Sequence, residues 1–209
     1  MHSRSARTRD RRLAAVVATV VTALVALVFA ALQALSAVSA VAPAKSPRGG
    51  ESVNAAADGR IDAADGYITS GHPLTVFDDA PAVANLDPQL RDALRAAATD
   101  AAQQGIEFEV NGGWRSAELQ QKLLRDAEAK YGSAEEAARW VATAETSEHV
   151  TGDAVDIGPW KALDWLVAHG AGYGLCQVYG NEAWHYEFRP EASSAGCPSM
   201  YRDPTERDQ

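Results

Sequence analysis

Cysteine is scarce in this chain, which holds only Cys176 and Cys197 among 209 residues. The two lie far apart and form no Cys-x-x-Cys pair, which disfavours a metal centre built from thiolates. In an exported protein an even pair favours one disulfide, although two buried thiols are the alternative. A Cys176–Cys197 bridge would tie the chain near residue 182 to the C-terminal end.

Basic residues are too few to give the body of the chain a positive face. The formal net charge is −9, yet residues 1–45 carry six Arg and Lys side chains against the single acidic Asp10. The acidic excess therefore falls on the rest of the chain. Because phosphate binding needs a basic face, we expect no nucleic-acid partner. The chain also has no internal repeat, which disfavours a solenoid.

Long apolar runs are absent from the body, but one follows the basic N-terminus, from Leu13 to about Leu35. It exceeds the about 7–15 residues of a cleaved signal core and approaches the roughly 20 that span a bilayer. Small residues follow, as at a signal-peptidase site: Ala40, Ala42 and Ala44. We predict a hydrophobic helix acting as signal peptide or signal anchor over residues 1–45, and an exported body. If uncleaved, the helix would hold the protein at the membrane; a buried core helix is disfavoured because the run has no polar face.

The remaining chain divides into three parts by composition. Residues 46–65 are rich in Pro, Gly, Ser, Ala and Asp, which predicts a flexible linker. Residues 66–200 are assigned to one globular domain, and residues 201–209 to a C-terminal tail. The hydrophobic content of 46% is sufficient for a core in that domain.

Helical and strand patterns alternate irregularly in the domain. Helices are predicted from Pro88 to Gly105, from Ser116 to about Lys130, from Ser133 onward, and from Lys161 to His169. Strands are predicted over residues 106–110, 154–157 and 184–188, with a turn at 111–113 and a loop over 144–152. This mixture favours an α+β fold in which helices pack on a small antiparallel sheet.

Two short motifs hold residue types that bind metal ions. The first runs from Ser147 to Asp156 and includes His149; the second runs from Glu182 to His185. Two imidazoles and one carboxylate suit zinc and leave a fourth position for water, and a nearby glutamate can act as base. We expect one motif on a loop and a following strand, and the other on the last strand.

The last predicted strand separates polar from aromatic side chains. By the period of two, His185 and Glu187 share one face. The other face carries Trp184, Tyr186 and Phe188. We therefore expect Trp184 to belong to the core rather than to wall the site. Glu187 is an alternative to Glu182 as base, or it could orient a ligand histidine through a hydrogen bond.

The motifs together resemble a known family. The pattern is Ser147-x-His149-x-x-Gly152-x-Ala154-x-Asp156, then Glu182-x-Trp184-His185, with Trp114-Arg115-Ser116 upstream. It resembles the zinc D-Ala-D-Ala carboxypeptidases and dipeptidases of the VanY/VanX type, which have the hedgehog/DD-peptidase fold. The likeness spans roughly residues 66–190. Two positions depart from the family pattern: Ala144-Glu145 stands where many relatives have Pro-Gly, and Asp153 stands where Leu is common. Because these positions flank the site, they bear on substrate preference more than on zinc binding.

The resemblance implies a role for each motif residue. Three zinc ligands are implied: His149, Asp156 and His185. Glu182 would take a proton from the zinc-bound water and pass one to the leaving amine. Arg115 would bind the substrate or stabilise the oxyanion, unless it only pairs with Glu118. Ser147 would hydrogen-bond the substrate.

The activity implied by the resemblance is zinc-dependent hydrolysis of the terminal D-Ala-D-Ala bond of peptidoglycan stem peptides. Export, expected from residues 1–45, would place the protein beside that substrate, and we expect a monomer. A peptidoglycan endopeptidase and a D-Ala-D-Ala dipeptidase are alternatives with the same site. A zinc-containing wall-binding module without catalysis is a third, which the presence of Glu182 disfavours. A role in wall maturation and a role in antibiotic resistance both stay open.

Overall fold

The structure is a computed structural model that describes residues 60–207. The predicted N-terminal segment (1–45) and most of the predicted linker (46–65) lie outside the described residues, so both stay predictions. Within residues 60–207, none of the helices has the length and apolar character needed to span a bilayer.

Short strands and helices make up the described part of the chain. The strands are β1 (Leu74–Thr75), β2 (Glu109–Gly112), β3 (Ala154–Gly158), β4 (Leu175–Gln177) and β5 (His185–Phe188). The helices are α1 (Pro81–Ala84), α2 (Pro88–Ala102), α3 (Ala117–Tyr131), α4 (Ala134–Ala138), α5 (Glu148–Thr151), α6 (Trp160–His169), α7 (Ala192–Ala195) and α8 (Pro204–Arg207). Two 3-10 turns cover Ala63–Asp65 and Gly170–Tyr173.

The five strands form one antiparallel sheet in the order β1-β2-β3-β5-β4. The central pair, β3 and β5, aligns Asp156 directly opposite His185. On its other side β3 pairs with β2, whose register shifts between Val110 and Gly112. The predicted α+β fold with a small antiparallel sheet is thus confirmed for the described residues.

Helix α2 supplies much of the core that supports the sheet. It begins where the Asp87 side chain accepts hydrogen bonds from the backbone N–H groups of Gln89 and Leu90, with Pro88 at its first position. Its buried stripe consists of Leu90, Leu94, Ala97, Ala98 and Ala101. These residues share one hydrophobic core with Val155, Ile157 and Tyr186 of the central strands. Burial of this apolar surface fixes β3 and β5 from one side.

Two predicted local structures were wrong in detail. The predicted loop over residues 144–152 contains α5, a single helical turn, which Gly152 ends at a φ of 87° by bonding to the carbonyls of Glu148 and His149. The predicted turn over 111–113 is partly strand, because β2 continues through Gly112 and pairs with β3. At β2, pairing with β3 outweighs the local preference for a turn.

The C-terminal part of the chain is tied to the sheet edge. Cys176 in β4 forms a disulfide with Cys197, which confirms the predicted bridge. Residues 201–207, assigned from the sequence to a tail, also contact the domain, since Tyr201 forms a parallel bridge with Tyr179. The predicted boundaries at residues 45, 65 and 200 stay predictions.

Candidate metal centre

Three elements bring the predicted metal ligands together beside the central strands. Asp156 lies in the middle of β3, and His185 begins β5 directly opposite it. His149 comes from α5, the helical turn that precedes β3. Because these elements are adjacent in the fold, residues far apart in sequence present their donor atoms to one point. The imidazoles are buried and Asp156 is half-buried.

The three donor atoms form a nearly equilateral triangle. Nε2 of His149 lies 3.2 Å from Nδ1 of His185, and Oδ1 of Asp156 lies 3.4 and 3.5 Å from these two nitrogens. A tetrahedral zinc ion with bonds of about 2.0–2.1 Å would separate its ligands by roughly 3.3 Å. The triangle therefore has the dimensions of one face of a zinc coordination tetrahedron.

The other nitrogen of each imidazole faces a hydrogen-bond acceptor. Nδ1 of His149 lies 2.9 Å from the Gly113 carbonyl oxygen, and Nε2 of His185 lies 3.2 Å from Oε1 of Glu187. Each of these nitrogens must donate a proton, so each neutral ring directs its lone pair into the triangle. Two nitrogen lone pairs and a carboxylate oxygen then converge, and only a cation or a proton between them relieves the repulsion.

The protonation of the two imidazoles differs. Burial, together with the positive charge of Arg115, lowers the pKa of His149 to about 4, so this ring is neutral at pH 7. Burial also acts to lower the pKa of His185, but the nearby carboxylates of Asp156 and Glu187 outweigh it and raise the pKa to about 9. Without a metal ion, a proton on His185 neutralises the triangle.

Two glycines allow close packing at and near the triangle. A Cβ atom on Gly112 would lie 2.3 Å from Oδ2 of Asp156, so a side chain there would displace the carboxylate. A Cβ atom on Gly152 would lie 2.5 Å from the carbonyl oxygen of Asn85. Both distances are far below van der Waals contact, so glycine is required at each position.

The two candidate bases lie on opposite sides of the His185 ring. Oε2 of Glu182 is 3.9 Å from Nδ1, the donor atom of the ring, whereas Glu187 contacts Nε2. Burial raises the pKa of Glu182 to about 7. Burial also acts to raise the pKa of Glu187, but the hydrogen bond to His185 and the charge of Arg207 outweigh it, so this pKa lies below its usual value. Only Glu182 faces the triangle.

The triangle opens into a cavity of about 210 Å³. Arg115 and Ser147, the two predicted substrate-binding residues, both line it. The Arg115 guanidinium has its ion-pair partner at the site, with Nη2 3.8 Å from Oδ2 of Asp156. Trp184 also lines the cavity and is 38% exposed, so its assignment to the core was wrong. It precedes the first residue of β5, where the strand alternation does not yet apply.

Several residues of the site could not be predicted from the motifs. Gly113 supplies an acceptor through its backbone, which carries no side-chain signal. Tyr179 packs against the His185 ring at a centroid distance of 5.0 Å. Arg207 contacts Glu187 from the C-terminal segment, 20 residues further along the chain. Arg207 is 20% exposed and lies 20 residues beyond Glu187, so no local sequence pattern indicates this contact.

A protein-family model described as VanY, D-alanyl-D-alanine carboxypeptidase, matches residues 83–191. A D-alanyl-D-alanine carboxypeptidase of Enterococcus faecalis is 31% identical over 128 aligned positions, and the alignment covers 49% of this chain and 46% of that protein. The chain thus spans about half the length of this curated relative. The family-model match, over residues 83–191, includes all three donor residues of the triangle.

Two solved structures are similar at lower sequence identity. One is the vancomycin resistance D,D-pentapeptidase VanY from a VanB-type resistance cassette, in complex with Zn(II): 26% identity, 49% of this chain, 72% of that chain and a TM-score of 0.47. The other is VanYB in complex with D-alanine-D-alanine: 26% identity, 53% of this chain, 74% of that chain and a TM-score of 0.49.

Proposed function

Because the chain belongs to the VanY D-alanyl-D-alanine carboxypeptidase family, we propose that it is a zinc-dependent D,D-carboxypeptidase acting on peptidoglycan stem peptides. The proposed reaction removes the terminal D-alanine from a peptide that ends in D-Ala-D-Ala. One observation carries the proposal: the triangle of His149, Asp156 and His185 donor atoms, with edges of 3.2–3.5 Å. A donor set of two imidazoles and one carboxylate suits zinc and leaves a position for water.

The buried Oδ1 atom of Asp156 supports the fit to a cation. It has no hydrogen-bond partner among residues 60–207, although buried carboxylate oxygens are normally paired. Zinc held by the triangle would polarise the substrate carbonyl and lower the pKa of a bound water toward about 7. The chemistry of the donor set and the unpaired oxygen therefore agree with the proposed cofactor.

Glu182 is proposed as general base and then general acid. Its carboxylate lies on the donor side of His185, and its Oε1 atom has no hydrogen-bond partner in the described part of the chain. It would accept a proton from the attacking water and donate one to the leaving amine of D-alanine. Glu187 is unsuited to this role, because its oxygens are bound to His185, Arg189 and Arg207.

Arg115 and Ser147 are proposed to hold the substrate. The Arg115 side chain is 17% exposed, so its guanidinium is fixed by packing while it still reaches the cavity. A fixed guanidinium suits either the terminal carboxylate of the peptide or the oxyanion formed during hydrolysis. Ser147 lines the same cavity and offers a hydroxyl to the peptide backbone. Trp184 adds an apolar wall.

We further propose that the body of the protein acts outside the cytoplasm, as a monomer. The arginine-rich start and apolar run of residues 1–45 support export through the membrane. The Cys176–Cys197 disulfide supports an oxidising compartment. Fusion of residues 1–60 to a reporter enzyme that is active only outside the cytoplasm tests export, and an inactive reporter would contradict it.

The activity is tested with the full chain, zinc and a muramyl pentapeptide that ends in D-Ala-D-Ala. We expect release of free D-alanine, detected by mass spectrometry, and loss of that release on chelation of zinc. Cleavage within the stem peptide would instead identify an endopeptidase, and preference for free D-Ala-D-Ala a dipeptidase. Absence of any cleavage product from zinc-loaded protein would favour the wall-binding module and reject the enzyme.

A further inference from the structure

The last described residues of the chain return to the metal centre. The backbone N–H of Tyr201 bonds to the Val178 carbonyl at 2.9 Å, and the N–H of Gly180 bonds to the Tyr201 carbonyl at 2.8 Å. Helix α8 follows, and its first residue, Pro204, lines the cavity. The family match ends at residue 191. This segment therefore adds contacts to the site that lie outside the matched region.

A buried carboxylate anchors the segment in place. Asp203 is fully buried. Its oxygens accept hydrogen bonds from Nε of Arg139 at 3.1 Å and from the backbone N–H of Thr205 at 3.1 Å. A buried charge with such partners is stably held, whereas one without them would be strongly unfavourable. The position of α8 is thus fixed relative to the strands that carry the site.

Arg207, at the end of α8, binds two carboxylates from different elements. Its Nη1 atom donates to Oε1 of Glu187 in β5 at 2.5 Å, and its Nη2 atom donates to Oε1 of Glu148 in α5. Nη1 also lies 3.3 Å from the hydroxyl of Tyr179. The side chain is 20% exposed and that of Glu187 is 2% exposed. The guanidinium therefore links α5 to β5 in a largely dry environment.

Both carboxylates stand next to a predicted metal ligand. Oε1 of Glu187, the oxygen that Arg207 contacts, also accepts the hydrogen bond from Nε2 of His185. Glu148 directly precedes His149. Arg189 binds the other oxygen of Glu187, Oε2, at 2.6 Å and so does not replace Arg207. Only a planar, forked donor can serve two carboxylates in this arrangement.

We propose that Arg207 is a positioning residue that sets the spacing of His149 and His185 by holding Glu148 and Glu187 with one guanidinium. This inference rests on the proposed function only in taking the triangle as the zinc site. Through Glu187, Arg207 fixes the His185 ring with Nδ1 toward Asp156; through Glu148, it fixes the helical turn that carries His149. Loss of the guanidinium would let the two imidazoles separate, and zinc would bind more weakly.

The test compares the full chain with its Arg207→Ala, Arg207→Lys and Arg202→Ala variants, using zinc itself as the probe. Arg202 is the matched control, because it lies in the same segment but binds Asp203 rather than Glu148 or Glu187, and its side chain is 70% exposed. Zinc affinity is measured by competition with a chromophoric chelator. Thermal unfolding of the metal-free protein is measured in parallel, so that a loss of folding is seen separately.

We expect Arg207→Ala to weaken zinc binding by roughly 10-fold or more, within the about 10–100-fold that loss of an outer partner of a ligand produces. Arg207→Lys should recover part of this loss, since an ammonium keeps the charge but cannot serve both carboxylates. Arg202→Ala should bind zinc as the wild type does.

Wild-type zinc affinity in Arg207→Ala would overturn the inference, as would equal weakening in Arg202→Ala. If Arg207→Ala does not fold, Arg207→Lys decides: weaker zinc binding supports the inference and unchanged binding overturns it. If the wild-type protein binds no zinc, the proposed zinc site is rejected as well. The wild-type measurement therefore distinguishes failure of the proposed function from failure of the Arg207 inference alone.

Discussion

The two sides of the His185 ring are built in opposite ways. On the donor side, two buried oxygens have no hydrogen-bond partner within residues 60–207: Oδ1 of Asp156 and Oε1 of Glu182. On the opposite side, both oxygens of Glu187 accept hydrogen bonds. Oε1 accepts from His185 and Arg207, and Oε2 accepts from Arg189. The donor side therefore has oxygens available to a cation and a proton. On the opposite side, Arg189 and Arg207 already balance the charge of Glu187.

This difference explains why two nearby glutamates suit different tasks. A general base needs a carboxylate whose proton affinity is raised and whose lone pairs are accessible, and Glu182 has both properties. A group that orients a ligand needs a carboxylate that stays ionised, and the cations around Glu187 provide that. The surroundings of each glutamate, rather than its distance from the histidine, support the role proposed for it.

Loss of a donor atom should have the strongest effect. In Asp156→Ala the triangle keeps two nitrogens but loses its carboxylate, so zinc affinity should fall by more than the about 10–100-fold expected for an outer partner. Chelator competition measures the affinity, and circular dichroism controls for folding. Wild-type zinc affinity in this variant would show that the donor side is not a metal site.

Glu182→Gln should separate chemistry from metal binding. The amide keeps the shape of the side chain but cannot accept the proton, so kcat for D-alanine release should fall by about 10²–10⁴-fold. Zinc affinity should stay within a few-fold of the wild type, because Glu182 is not part of the triangle. Loss of zinc together with activity would instead make Glu182 a ligand.

Removal of the disulfide tests how firmly the C-terminal segment is tied to the sheet edge. The bridge closes a loop with a sequence separation of 21. Cys176→Ser with Cys197→Ser should lower the free energy of unfolding by about 3 kcal/mol through the added entropy of the unfolded chain. Denaturant unfolding measures this, with reduced wild type as the control. An unchanged midpoint would mean that the other contacts of residues 201–207 are sufficient.

Glu187→Gln should give the smallest effect of the four, and the reverse of the effect of Glu182→Gln. The neutral amide can still accept the bond from His185 but no longer balances Arg207, so zinc should bind about 10–100-fold more weakly. With zinc at saturation, kcat should stay within a few-fold of the wild type. A large fall in kcat at saturating zinc would mean that Glu187 also takes part in catalysis, and the proposed difference between the two glutamates would be wrong.

Elements with strong local signals were predicted well from the sequence. The Asp87-Pro88 start of α2, the Ser116 start of α3 and the cores of β3 and β5 agree with the structure, because capping residues and apolar periodicity act within a few residues. Strands β1 and β4 were missed, since two or three residues carry no readable alternation. Such short strands exist only because a neighbouring strand supplies their hydrogen bonds.

The side chains of the triangle and both nearby glutamates were predicted from the sequence, whereas several of their outer partners were missed. The motif resemblance named the residues of the triangle together with Glu182, and the family match confirms that resemblance. The Gly113 carbonyl and Arg207 were missed, because backbone acceptors and distant ion pairs leave no spacing in the sequence. The error at Trp184 has a related cause: period-two alternation was extended one residue beyond the start of the strand.

The register between β3 and β5 has a thermodynamic consequence. Asp156 and His185 are neighbours only while these strands are paired in this alignment, and the unfolded chain separates them by 28 intervening residues. A metal ion held across the pair would bind the native alignment and not a slipped one. At a free zinc concentration 100 times its dissociation constant, this linkage would add about 2.7 kcal/mol to the stability of the native state. Zinc supply would then govern how long the protein stays folded, as well as how fast it works.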